Sequence, residues 1–196
     1  MNRRKFLTQA GVTSIALASL PALATRALAA PERGQMGFHF MVISFSPPTS
    51  DLVPDTLVMA GAGDFTSQQV VGSGIFNLLK AAASVSERLR AFGTWKAKRL
   101  LNFELVGTYG AQVSGVLELE IHLVPAEGAV ILAEGAVIPA TLEVVCNVGF
   151  GGLFTGEEEG IILTIPDAPF GPFTPSVPPA GPAGLTTFTT GNEQRD

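Results

Sequence analysis

The chain has 196 residues, is 46% hydrophobic and 15% charged, and holds 22 glycines, 14 prolines and one cysteine. Four of its 12 basic residues (Arg3, Arg4, Lys5, Arg26) and none of its 17 acids lie in the first 29 positions, leaving 8 against 17, a net −9, on the remaining 167 residues. That excess of carboxylates excludes a phosphate-backbone binder, which needs clustered Lys and Arg. The apolar content excludes disorder of the body. The lone Cys146 excludes a disulfide scaffold within the chain.

Met1 to Ala29 reads as a targeting segment. Asn2-Arg3-Arg4-Lys5-Phe6-Leu7 resembles the twin-arginine motif of Tat-exported proteins, which carries the chain to the periplasm or the exterior. A mildly apolar stretch follows from Ala10 to Ala24, and at about 15 residues it falls short of the ~20 that span a bilayer. Ala27-Leu28-Ala29 then supplies a small-x-small cleavage pattern, with Ala30 as the expected mature N-terminus. No stable membrane insertion is expected after cleavage.

The mature chain divides into residues 30–54, an N-terminal strand and loop; 55–166, a β core that includes 38–46; and 167–196, a Pro-rich C-terminal segment. Short alternating runs punctuated by Gly and Pro predict strands over Phe38 to Ser46, Thr56 to Thr66, Gln69 to Leu79, Gly93 to Val106, Gln112 to Val124, Ala140 to Gly149 and Gly160 to Pro166. One short helix is expected within Asn77 to Ala91, where Leu78, Ala82, Val85 and Leu89 follow helical spacing. Seven prolines between Pro166 and Pro182 predict a surface wrap, and Gly184 to Thr190 an edge strand. The expected fold class is all-β, an antiparallel β-barrel of about 7–8 strands or a closed sandwich.

Two internal echoes stand out. Gly61-Ala62-Gly63-Asp64-Phe65 and Gly72-Ser73-Gly74-Ile75-Phe76 share a Gly-x-Gly-x-Phe pattern. A turn centred on Ser67-Gln68 sets Gly63 opposite Gly72, Gly61 opposite Gly74 and Met59 opposite Phe76, all on one side of the sheet. Four stacked glycines make a notch, read either as a bend with room for a large neighbour such as Trp95 or as a ligand groove. The second echo, Ala126 to Val130 and Ala133 to Val137, has a seven-residue step and lengthens a hairpin arm without implying chemistry.

Phe92-Gly93-Thr94-Trp95-Lys96-Ala97, Leu119-Glu120-Ile121-His122-Leu123-Val124-Pro125 and Val144-Val145-Cys146-Asn147-Val148-Gly149 resemble a group of Tat-exported, uncharacterised bacterial β-barrel proteins. With the Gly-x-Gly-x-Phe segments, the pattern is also loosely similar to allene oxide cyclase and dirigent-type barrels, over about Gly61 to Ile165. The resemblance implies a barrel. It carries over no catalytic residue, because the cyclase's residues have no matching motif here.

Glu118, Glu120 and His122 alternate along one strand face and could serve a divalent metal or acid–base chemistry, although residues two apart lie ~6.5–7 Å from each other. The plainer expectation is a solvated outer face. Arg99 shares parity with Trp95, Ala97, Leu101, Phe103 and Leu105, so Arg99, Trp95 and Phe103 are the expected ligand-binding residues of an apolar interior. A β-bulge near Arg99-Leu100-Leu101 would turn it outward instead, and a place at the barrel mouth would let it reach solvent. Cys146 alternates with Leu142, Val144 and Val148 and reads as a buried hydrophobe. Glu157-Glu158-Glu159 reads as a solvated loop. Both faces of Phe38 to Phe45 are apolar, so one needs cover from the helix, the tail or a second subunit, and a homo-oligomer is among the expected states.

No cofactor is expected. The expected function is noncatalytic binding of a small apolar or weakly acidic molecule. The alternatives are a cofactor-free cyclase or isomerase, and a structural or assembly protein without ligand. An interior filled by Phe, Leu and Val would favour the last of these.

Overall fold

A computed structural model of the chain describes residues 34–47, 55–80, 89–129, 132–166, 168, 171–175 and 184–191. The proposed signal segment, the Ser84-Val85 centre of the expected helix and most of the proline-rich segment lie outside the described residues. Nine strands are described: β1 (Met36–Phe45), β2 (Thr56–Phe65), β3 (Val70–Leu79), β4 (Leu89–Tyr109), β5 (Gln112–Pro125), β6 (Ile138–Cys146), β7 (Gly160–Thr164), β8 (Thr174–Pro175) and β9 (Gly184–Thr190). The chain is all-β and antiparallel, as its alternating pattern predicts. The expected helix is corrected at both ends: Asn77 to Leu79 finish β3, and Leu89 to Ala91 begin β4. There Leu78 and Ala91 are cross-strand partners, both buried, so the period of two prevails over the helical spacing.

Pairings β1–β2, β2–β3, β3–β4, β4–β5, β5–β9 and β9–β1 close the sheet into a ring of six strands. The same edge of β5 that meets β9 at Gln112 and Val113 meets β6 from Gly115 to Leu123, and β6 continues the sheet to β7. The edge of β1 that carries β9 also carries the two-residue β8 at Ser44 and Phe45. Ser44 is fully buried, and its Oγ donates to the Ile161 carbonyl at 3.0 Å, joining β1 to β7 by a side chain.

The β2–β3 register is the one expected from the glycine echo: Gly63 opposite Gly72, Gly61 opposite Gly74, Met59 opposite Phe76. The notch they leave is filled. The Trp95 indole lies across Gly61 and Gly74, while the Phe38 ring lies across Gly63 and Gly72. Trp95 is fully buried, stacks on Phe40 at 5.6 Å between centroids, and donates its indole N–H to the Ala60 carbonyl at 3.0 Å. A Cβ on Gly61 would collide with Trp95 Cζ2, and one on Gly74 would lie 2.5 Å from Trp95 Nε1. Gly61→Ala should therefore destabilise the fold by about 1–3 kcal/mol through overpacking. Combining it with Trp95→Leu should cost less than the sum of the two single changes, because both act on one contact. Urea denaturation of the three variants measures both quantities.

Candidate functional site

β4 is the strand that decides which side chains face inward. Between Ala97 and Gly107 its ladder with β5 shifts register three times, so Lys98, Leu101 and Val106 are extra residues without a β5 partner. Each bulge reverses the side-chain parity that follows it. Ala97 faces the buried Ile121, Arg99 faces Glu120, Leu100 faces the buried Leu119, and Phe103 faces the buried Leu117. The expectation that Arg99 points inward is thus corrected by the bulge at Lys98. Its side chain is 68% exposed and ion-paired to Glu120, with Nη2 to Oε2 at 2.8 Å and Nε donating to Oε2 at 3.1 Å.

Trp95 and Phe103 do face inward, in a continuous aromatic cluster. Trp95 stacks with Phe38 and Phe40, Phe38 meets Phe65 at 6.3 Å, and Phe65 meets Phe103 edge-on at 4.8 Å. Phe188 of β9 completes it, 5.6 Å from Phe103. Four of the six ring strands contribute to this cluster, and the rings fill the space that the sequence offered to a ligand.

The stripe of Glu118, Glu120 and His122 lies on the outer face of β5, as its alternation with buried Leu117, Leu119 and Ile121 predicts. Glu120 is taken up by Arg99, and His122 stands opposite Lys96. Among the described residues no group of three His, Cys, Asp or Glu side chains is placed to hold a metal ion. Instead Glu118 stands opposite Glu143 of β6, a position that sequence reasoning passed over because the pair exists only through the β5–β6 register. Burial, then the charges of Glu157 and Glu118, push the Glu143 carboxyl above its ordinary value, and its Oε1 has no hydrogen-bond partner.

The ring parts where β5 passes from β9 to β6, and a cleft of about 220 Å³ opens there. Cys146, Val148 and Phe188 line its apolar wall, with Glu159, Thr186 and Gln112 as polar groups. Thr186 Oγ1 donates to the Val145 carbonyl at 2.6 Å, and Glu159 Oε1 accepts the Thr186 N–H at 3.4 Å. Cys146 is buried and donates weakly to the Thr186 carbonyl at 3.4 Å; burial pushes its thiol up, so it stays protonated rather than nucleophilic. Nearby, the turn Gly151–Phe154 leaves Phe150 and Phe154 exposed, while the Tyr109 hydroxyl accepts the Gly151 N–H.

Comparison of the chain with protein families, with curated proteins and with solved structures finds no match.

Two outcomes follow from this geometry. Arg99→Met should change stability by under about 1 kcal/mol, as loss of an exposed ion pair does, with a Glu120 coupling of about 0.2–1 kcal/mol in a double-mutant cycle. Glu143 binds its proton more tightly in the folded state, so its ionisation opposes folding as pH rises through and above the ordinary carboxylate range. Glu143→Gln should raise the melting temperature by about 1–2 °C at pH 7, the shift that a few tenths of a kcal/mol produces in a domain of this size, and leave it unchanged near pH 3.

Proposed function

We propose that this protein is an exported, noncatalytic β scaffold that acts through its outer surface. The observation that carries the reading is the occupied interior: Trp95, Phe38, Phe40, Phe65, Phe103 and Phe188 pack against one another where an enclosed ligand would sit. Charge placement agrees with it. Arg99, the cation that would have anchored an acidic or carbonyl-bearing ligand, is outside and paired. The protonated Cys146 and the outward His122 stand on different strands and different faces, which disfavours nucleophilic chemistry between them. Export rests on the paired Arg3 and Arg4, the short apolar stretch after them and the Ala27-Leu28-Ala29 cleavage pattern.

A small apolar molecule is the second reading, now at the lateral cleft beside Cys146, Val148 and Phe188, where Glu159 could accept a hydrogen bond from it. An apolar cavity of about 150 Å³ takes benzene, so the cleft suits a small molecule of roughly benzene size or a little larger.

Native mass spectrometry of the exported protein separates these readings. The scaffold predicts a chain beginning at Ala30, give or take a residue, with no retained small molecule. A retained molecule that is lost in Cys146→Leu, which narrows the cleft, would establish the second reading instead. Replacing Arg3 and Arg4 together by Lys should leave at least tenfold more precursor in the cytoplasm, measured by fractionation and immunoblotting; unchanged export would refute the twin-arginine route.

A further inference from the structure

The outer surface is divided by charge. On the β5–β6 side it presents Glu118, Glu120 and Glu143, with Glu157 and Glu158 beyond them. On the opposite side, the outward positions of β9, β1, β2 and β3 are Leu185, Thr187 and Thr189; Gly37, His39, Met41 and Ile43; Val58, Ala60, Ala62 and Asp64; and Val71, Ser73, Ile75 and Asn77. Within that set Asp64 and His39 are the residues able to carry a charge. The register aligns Leu185, Met41, Ala60 and Ile75 in one row across the four strands, with Ile43 and Val58 in the next.

These side chains are not spent on the interior. Met41 is 60% exposed, Leu185 58%, Ile75 55% and Ile43 38%. Together with the part-exposed Ala60 and Val58 they form one contiguous apolar patch, of the order of the few hundred Å² that is the largest on a typical monomer and is often functional. The relief is that of a ridge beside a groove. By side-chain size, the long Met41 and Ile43 of β1 and Ile75 of β3 flank the short Ala60 and Ala62 of β2.

We propose that this face is where a second copy of the chain docks, two-fold related, with the β1 ridge of each copy seated in the β2 groove of the other. Three features select a second copy as the occupant. The chain from Ala30 onward carries 8 basic and 17 acidic residues, a net −9, so two copies repel unless they meet where charge is low, and the outward positions of these four strands include only His39 and Asp64 as residues able to carry one. The patch offers a large ridge next to a small-residue groove of matching apolar character, which is what a self-complementary isologous contact requires. The polar residues sit at its margin (His39, Thr187, Ser73, Asp64), giving the apolar centre and polar rim of a protein interface. The inference rests on the scaffold reading above, since it supplies that scaffold's partner.

The test is sedimentation equilibrium of the purified chain over micromolar to hundred-micromolar concentrations, alongside Met41→Lys/Ile75→Lys and the control Leu101→Lys, which lies on β4 away from the patch. The unmodified chain and the control should be dimeric, and the double variant at least 100-fold weaker in association, with an unchanged far-ultraviolet spectrum. A second arm uses Met41→Cys in a Cys146→Ala background: a short bis-maleimide, alkylating one thiol at each end, should link two copies through position 41. A monomeric unmodified chain overturns the proposal, as does a dimer that survives the two lysines or fails to cross-link. A monomer that floats with neutral phospholipid vesicles would assign the face to lipid and overturn it too. None of these failures touches the scaffold reading, which stands or falls on whether the interior or cleft retains a small molecule.

Discussion

Trp95 lying on Gly61 and Gly74 is the contact on which the ring depends. An indole is the largest side chain available, and it can sit flat against the neighbouring strands only where they carry no Cβ. The glycines alone would leave a void, and the tryptophan alone would hold the strands apart. Together they let β2 and β3 curve closely around a fully buried ring whose one polar atom is satisfied by the Ala60 carbonyl. Phe38 repeats the arrangement one register step along, over Gly63 and Gly72; Phe40 and Phe65 pack against these two, and Phe103 and Phe188 join through Phe65.

Closing six strands around so small an interior also requires bending on the far side. β4 supplies it with three extra residues opposite eight of β5. A bulge sharpens the local twist and turns the following side chains over. The second effect has the functional consequence. Arg99 leaves the interior, pairs with Glu120, and the inside of the ring is left without a cation. A single uninterrupted ladder would have buried that guanidinium among aromatic rings, at a cost that only a bound anion or a carboxylate partner could offset.

The seam of the ring is β9, which bonds to β1 along its length but to β5 at only two positions. Where the ladder stops, side chains take over: Thr186 reaches the Val145 carbonyl, Glu159 receives the Thr186 N–H, and Cys146 meets the Thr186 carbonyl. These bonds satisfy backbone groups that would otherwise face a partly apolar gap. They also occupy the exposed edge of β9, so that edge is a poor template for another strand, and the outer face of β9, β1, β2 and β3 is left as apolar surface open to contact.

Much of this was legible in the residues alone. Alternation marked the inward set of β5, and the glycine echo set the β2–β3 register residue by residue, because both follow from the two-residue period of a strand; β1, apolar on both faces, left its inward side open. Local pattern also placed Glu118, Glu120 and His122 outside. It misread Asn77 to Ala91 as a helix where its ends are strands, since a few apolar residues satisfy both periods until partners are known. It left Arg99 open between an inward place and a bulge that turns it out, because a bulge leaves no mark in a strand's composition; it arises when one strand must travel farther than its neighbour. The Glu118–Glu143 pair, the cleft beside Cys146 and the neutral outer row had no sequence signature, being products of strands far apart in the chain brought side by side. Residue type and spacing marked the side chains able to line a core. Whether they fill it depends on how the strands close, because volume is a property of the closed ring.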